Sequence, residues 1–436
     1  MIITLLNYSI IKNKALSIFA LIIAGEAVFI LPFILVRVFR PIIREAFLIS
    51  DFEIGKAQAV YGITAMASYI AGGFFADKYE ARKLLSASLV LTALGGIWMV
   101  TIPSFHSLQV LYGFWGVSTI LLFWAALLKA TRQWGNASNQ GLSFGLLDGG
   151  RGAFAALIAT FGALIPGLFF PEDVTQVTYE DKVKTMQFII GFVTVIVLLV
   201  SVFVWFVLKD EGKSAKVKGE SKRVNVEGSL FDLRKVVKVI IQPKVIFHAI
   251  IIICGYAAYK ITDVYSTYAK DVWDYTLEEA SYFGVLIQWI RPIAAVSIGW
   301  VADKFKASKL IMVCFVVMIL CAALIGFGFL EQVPILISIF TFVVIVTGTY
   351  AMRGLYFAIL EEAKTPIAIT GTIIGIISFI GYTPDIFMSL LSGYMLGENP
   401  TVVEYQNLFQ VFLLFPTVGL LATLGFRKYL RIQSKV

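Results

Sequence analysis

The chain has 436 residues, 59% of them hydrophobic and only 15% charged, with a mean hydropathy of +0.85 and a formal charge of +8. Soluble domains are typically about 45–50% apolar and about 25% charged, so this composition excludes a water-soluble globular fold and makes a bilayer the natural solvent. The positive charge does not indicate a nucleic-acid partner, because the basic residues sit in short loops between apolar runs of about 20 residues.

Taken from the N-terminus, MIITLLNYSIIKNK lacks a small-residue cleavage site, and the run after Lys14 is long enough to span, so a retained first helix is expected. Apolar runs bounded by charge, Gly, Pro or Asn predict helices at about 15–47, 55–76, 84–102, 108–130, 143–169 and 185–208. A polar stretch, 209–243, is too hydrophilic to cross a bilayer and suits a linker with a short amphipathic helix. Six further helices are expected at about 244–269, 277–301, 309–329, 334–360, 368–394 and 404–427. The chain thus divides into a bundle at 1–208, a linker at 209–243 and a second bundle at 244–436. Of the 36 Lys and Arg residues, 25 fall on the side of the termini and linker, 5 on the other side and 6 within spans. Positive residues stay cytoplasmic, so both termini and the linker are expected on that side of a cytoplasmic membrane. Cys254, Cys314 and Cys321 lie in apolar segments without metal-ligand spacing, and His106 and His248 are the only histidines, so no metal site is expected.

After the second predicted helix the sequence reads GGFFADKYEARKLL, and after the eighth it reads IGWVADKFKASKLI. Gly73, Asp77, Lys78 and Lys83 align without a gap on Gly299, Asp303, Lys304 and Lys309, whereas Arg82 aligns on Ser308. These copies resemble the major facilitator superfamily, whose signature is Gly-x-x-x-Asp-Arg/Lys with basic residues four or five positions later, in the cytoplasmic loop between helices 2 and 3. The resemblance implies an all-α membrane protein, with twelve transmembrane helices in two pseudo-symmetric six-helix bundles, that transports by alternating access. It further implies a functional monomer without a cofactor. For the nine motif residues it implies a conformational gate. Glycine lets helices approach, and the aspartate meets a positive helix end or a basic side chain in one conformation only. A plain basic loop with a helix-ending aspartate is the structural alternative, and Ser308 implies a weaker lock on its side.

An ionisable residue at the bilayer centre costs at least about 2.5–3.5 kcal/mol on insertion scales, so each is expected to face a partner, a cavity or a substrate. The spans hold six bases and four acids: Arg37, Arg40, Arg151, Lys260, Arg291 and Arg353 against Glu26, Asp148, Asp263 and Asp385. Arg37 and Asp263 each precede their motif aspartate by 40 residues, and Lys260 lies one turn before Asp263. This arrangement resembles the organophosphate and sugar-phosphate antiporter branch of the family, where basic residues on helices 1 and 7 hold the phosphate. The resemblance implies Arg37 and Lys260 as substrate ligands, although Arg37 falls near the outer boundary by helical rise, with snorkelling or ion pairing as its structural alternative, and Lys260 is out of clear register and offers only a point charge. Arg291, about 18 Å by helical rise from the end marked by Asp303, has midplane depth and is a third candidate, with pairing to Asp263 or Asp385 as its structural alternative. Tyr256 and Tyr259 could donate hydroxyls or stack on a ring, or serve as core aromatics. Glu26, Asp263 and Asp385 are candidate proton-coupling acids or ion-pair partners, Asp148 and Arg151 a structural pair, and Arg353 a gate or a partner for Asp385.

The expected function is secondary transport of a small organic solute. The excess of base favours an organic anion such as a sugar phosphate or carboxylate, coupled to a proton or an exchanged anion. The alternative is proton-coupled symport or efflux of a neutral or cationic solute or drug. An enzyme is disfavoured, since no nucleophile–base pair, metal cluster or phosphate-binding glycine loop occurs in a solvent-accessible segment.

Overall fold

The structure is a computed structural model that describes residues 2–135, 140–208, 242–302, 304–356, 359–362, 377 and 379–433. Asp303 and all but the end of the predicted linker 209–243 lie outside the described residues, and for Asp77 and Gly299 only the helical backbone is described. The helices of the first half are α1 (Lys14–Phe47), α2 (Asp51–Lys78), α3 (Ala81–Val100), α4 (Phe105–Trp134), α5 (Gln140–Ala163) and α6 (Tyr179–Val207). Those of the second half are α7 (Pro243–Trp273), α8 (Leu277–Ala302), α9 (Ala307–Gly326), α10 (Ile335–Leu355), α11, described over Pro384–Leu396, and α12 (Val402–Gln433). Nine helices among the described residues are long and apolar enough to cross a membrane by length and composition alone. A helix is the element that satisfies its own backbone polar groups where no water is available. The two ends of the molecule are called here the motif end, which carries the α2–α3 and α8–α9 loops, and the opposite end.

Apolar patterning located the helices better than their starts. α6 begins at Tyr179 rather than near 185, because Thr178 and Asp181 form a reciprocal capping box outside the apolar run. Boxes of the same kind open α2 (Ser50 with Glu53) and α12 (Thr401 with Glu404). Thr276 and Glu279 exchange the same bonds at the start of α8. All four boxes stand at the opposite end, where each satisfies backbone donors that a helix start leaves free.

Each half has its own apolar core, one built from α1 to α6 and joined by Val285 of α8, and one from α7 to α12. Large apolar side chains such as Leu199, Phe206, Leu320 and Phe340 point outward and are exposed, as expected of a surface facing lipid tails. Contact between the halves rests chiefly on α2 against α11 and α5 against α8. The α2–α11 contact is backbone to backbone. A Cβ at Gly55 would collide with the Ser389 carbonyl, and one at Gly393 with that of Asp51, so both glycines are required by proximity.

Three helices depart from regular geometry beside this interface. α1 carries a π-helical stretch at Ile30–Ile34 around Pro32, α4 one at Ser118–Trp124, and α7 a 3-10 turn at Thr262–Val264. Pro32 has no N–H to give to the preceding turn, which accounts for the irregularity in α1. Tyr112 of α4 donates to the Pro32 carbonyl at 3.1 Å.

Candidate functional site

A cavity with about 660 Å³ of empty space opens between the halves at the level of these irregular turns. From the first half it is lined by Glu26, Phe29, Phe33, Ile34, Tyr61, Ala65, Tyr69, Ile120, Trp124 and Arg151, and from the second by Tyr256, Tyr259, Lys260, Arg353, Tyr382 and Asp385. Its walls are largely aromatic, and rings continue across the interface where Tyr69 stacks near Tyr382, with centroids 6.5 Å apart. Aromatic walls with a few convergent charges suit a small polar solute whose orientation must be fixed.

Two buried ion networks flank the cavity. In the first, Arg37 donates through Nε to Asp263 at 2.7 Å and through a terminal nitrogen to the Tyr259 hydroxyl at 2.9 Å. Lys260 reaches the other oxygen of Asp263 at 2.8 Å and lies 3.8 Å from Asp385, whose carboxylate also accepts from Tyr256 at 3.0 and 3.1 Å. Ser266 of α7 donates to the Arg37 carbonyl at 2.9 Å, which ties α1 to α7 a second time. Arg37 and Asp263 are 226 residues apart, the same offset as the motif aspartates, so they are symmetry mates that meet near the pseudo-twofold axis.

The second network is centred on Glu26. It accepts from Arg151 at 3.0 Å within its own half and from Arg291 at 2.8 Å across the interface. Arg291 also reaches Asp148 at 3.3 Å, whereas Arg151 stands 4.0 Å from Asp148. Together the two networks and Arg353 contain five cations (Arg37, Arg151, Lys260, Arg291, Arg353) and four carboxylates (Glu26, Asp148, Asp263, Asp385).

Arg353 is the odd member. Among the described residues no carboxylate lies within 4.0 Å of it; its guanidinium sits instead 3.8 Å from the Tyr259 ring centroid and 5.9 Å from that of Tyr256. Its Nη1 is buried without a hydrogen-bond partner among the described residues. Expected as a gate or as a partner for Asp385, it is a cavity-lining cation held by aromatic faces, with no pair to Asp385 within 4.0 Å. Arg37 and Arg291, each expected as a substrate ligand or an ion-pair partner, are nearly fully buried and engaged by carboxylates, and neither is among the side chains lining the cavity. The partners anticipated for Arg291 were Asp263 and Asp385; those found are Glu26 and Asp148. Lys260, Tyr256 and Tyr259 do line the cavity, as do Glu26, Asp385 and Arg151.

A third cluster, not anticipated, closes the opposite end. Arg40 pairs with Asp51 at 2.5 Å, and Arg44 bridges Asp51 and Asp271 at 2.9 Å each. Glu45 takes Lys270 at 3.2 Å and Lys182 at 2.7 Å, and Tyr405 donates to Asp271 at 2.9 Å. A sequence signal existed: Arg44-Glu45 and Lys270-Asp271 are basic–acidic dipeptides offset by the same 226 residues. Each base takes the acid of the other dipeptide, so the duplication produces a two-bridge latch between α1 and α7.

At the motif end Lys83 pairs with Glu80 at 2.9 Å on the surface, the Arg82 guanidinium lies 4.9 Å from the Trp205 ring, and Lys78 stands near Phe74 and Tyr79. A Cβ at Gly73 would meet nothing within 4 Å. Lys304 stands in the α8–α9 turn and Lys309 in the first turn of α9, and Ser308, in the position of Arg82, donates from its backbone and hydroxyl to Glu362 at 2.9 and 2.8 Å. The departure from the basic pattern thus provides a cap contact to the segment after α10.

Comparison with known proteins agrees with this architecture. Residues 16–388 match the family model described as Major Facilitator Superfamily. The chain is 26% identical over 434 residues to the inner membrane protein YihN of Escherichia coli (strain K12), covering 98% of each. The fold is similar to that of a bacterial homolog of the human lysosomal transporter Spinster, solved inward-facing and unoccupied (TM-score 0.71, 13% identity, 96% of this chain and 97% of that one). It is also similar to a D-xylose-proton symporter (TM-score 0.68, 13% identity, 96% and 97%). The chain belongs to the major facilitator superfamily of membrane transporters, and is not an enzyme.

Proposed function

We propose that the protein moves a small organic anion, such as a sugar phosphate or a carboxylate, across the cytoplasmic membrane by alternating access, with both termini and the linker cytoplasmic. The observation that carries the anionic cargo is Arg353, a cavity cation with no carboxylate within 4.0 Å among the described residues. A buried or half-buried charge without a counterion is costly, and an incoming anion relieves that cost. Lys260 and Arg151, which share the cavity wall, strengthen the attraction, and the aromatic rings suit the body of a sugar or similar ring. The inner-membrane placement is supported by the relative YihN and the excess of basic residues on the side of the termini. Coupling to a proton or to an exchanged anion fits the carboxylates in the same wall.

A second reading, symport of a neutral solute with a proton, is favoured by one observation. Asp385 faces the cavity, hydrogen-bonded to Tyr256 and 3.8 Å from Lys260, a position in which it can take up and release a proton. Thermal-shift screening of the purified protein separates the two. Organic anions should raise the melting temperature of the wild type by linkage and fail to do so in Arg353→Gln. Stabilisation of both proteins to the same degree by an uncharged sugar would sink the anion reading.

A further inference from the structure

We infer that the cargo bears a single negative charge and that Arg353 sets this preference. The inference rests on the organic-anion reading and sharpens it from a broad class to a charge state. Among the described residues five cations and four carboxylates line or flank the cavity, so with all of them ionised this set holds one unbalanced positive charge. Both networks cross the interface between halves, so their members are counterions for one another in the closed arrangement. Arg353 is the cation left over.

A free donor lies where that charge lies. Nη1 of Arg353, in the cavity wall, is buried without a hydrogen-bond partner among the described residues, and the guanidinium rests 3.8 Å from the Tyr259 ring centroid. Buried donors without acceptors are uncommon in native structures, and a charged oxygen acceptor is the group that matches them. A carboxylate brings two acceptor oxygens and one charge, which balances the site. A phosphomonoester near neutral pH brings roughly two charges, leaving one uncompensated in a buried setting. A neutral sugar leaves Arg353 uncompensated.

The test is isothermal titration of the purified full-length protein near neutral pH with D-glucose, D-glucuronate and D-glucose 6-phosphate, one ring with three charge states. D-glucuronate should bind the wild type at least about tenfold more tightly than either other probe, because a charge mismatch in a desolvated site is strongly unfavourable. Asp385→Asn adds one unbalanced positive charge and should turn the preference towards D-glucose 6-phosphate. Arg353→Gln removes the excess and should abolish the advantage of D-glucuronate over D-glucose. Tighter wild-type binding of D-glucose 6-phosphate than of D-glucuronate overturns the single-charge inference while leaving the anion reading standing. Equal binding of D-glucose and D-glucuronate overturns the anion reading itself. An Asp385→Asn protein with unaltered preference contradicts the charge count, and absence of heat from all three probes at tens of millimolar contradicts both proposals.

Discussion

Replacing Asp271 by Asn should release the latch that closes the opposite end. The side chain of Asp271 is 7% exposed and accepts from Arg44 at 2.9 Å and from Tyr405 at 2.9 Å. Asparagine preserves its size but removes the charge. A hydrogen bond to a charged partner contributes about 1.5–3 kcal/mol. Arg44 keeps Asp51 in the variant and is 13% exposed, so the lower end of that range applies, about 1.5 kcal/mol or roughly tenfold in an equilibrium constant. The assay is pulsed electron–electron distance measurement between spin labels at Leu168→Cys in the first half and Val403→Cys in the second. Both positions are exposed at the opposite end, and the native cysteines are buried. In the wild type the short distance should dominate; in Asp271→Asn the ratio of long to short distances should rise roughly tenfold. A matching rise is expected for Glu45→Gln, which disconnects the symmetry-related bridge to Lys270. An unchanged distance distribution in both variants would refute the latch.

Asp263→Asn should lower the melting temperature strongly, since it leaves Arg37 and Lys260 short of a counterion in a buried site, a loss on the order of 3–5 kcal/mol. Arg353→Gln should leave stability unchanged or raise it, because no ion pair within 4.0 Å among the described residues is lost; the reverse ranking of the two in thermal denaturation would contradict the assignment of Arg353 as a cation without a carboxylate partner there. Glu26→Gln and Arg291→Gln should each destabilise. Their double variant should lose less than the two together, with a coupling of about 0.5–3 kcal/mol, and additive losses would mean that the 2.8 Å pair carries no energy. Gly55→Val should wedge α2 away from α11 by its collision with the Ser389 carbonyl, and it should lengthen the same spin-label distance; an unaltered distance would show that the backbone contact is not limiting.

Much of the fold was legible because the bilayer enforces it. Apolar runs near span length, and two Ala-Asp-Lys loops at a fixed offset, identify helices and duplication without any structural information. Helix starts were less visible, since Thr178 with Asp181 and Ser50 with Glu53 act through polar caps that hydrophobicity does not register. The charged residues of the site were found individually, but the pairs that cross between the halves were not. Whether Arg291 meets Asp263 or Glu26 depends on how α8 rotates against α1 and α5, which a one-dimensional sequence does not specify. The same holds for Arg353. Depth alone made it a gate or a partner for Asp385, and only packing shows it resting on Tyr259. The latch could have been read in advance from the repeated dipeptides Arg44-Glu45 and Lys270-Asp271, had the 226-residue offset been applied beyond the motif and the intramembrane charges.

Counterflow in proteoliposomes tests the proposed carrier most directly. Vesicles holding unlabelled D-glucuronate and placed in a trace of radiolabelled D-glucuronate should accumulate label transiently, as a cavity that alternates between the two faces exchanges bound anions one for one. Vesicles without the internal load, and loaded vesicles carrying Arg353→Gln, should show no such accumulation. Labelled D-glucuronate entering at the same rate with and without the load, or accumulating undiminished in Arg353→Gln, would contradict an anion carrier centred on this cavity.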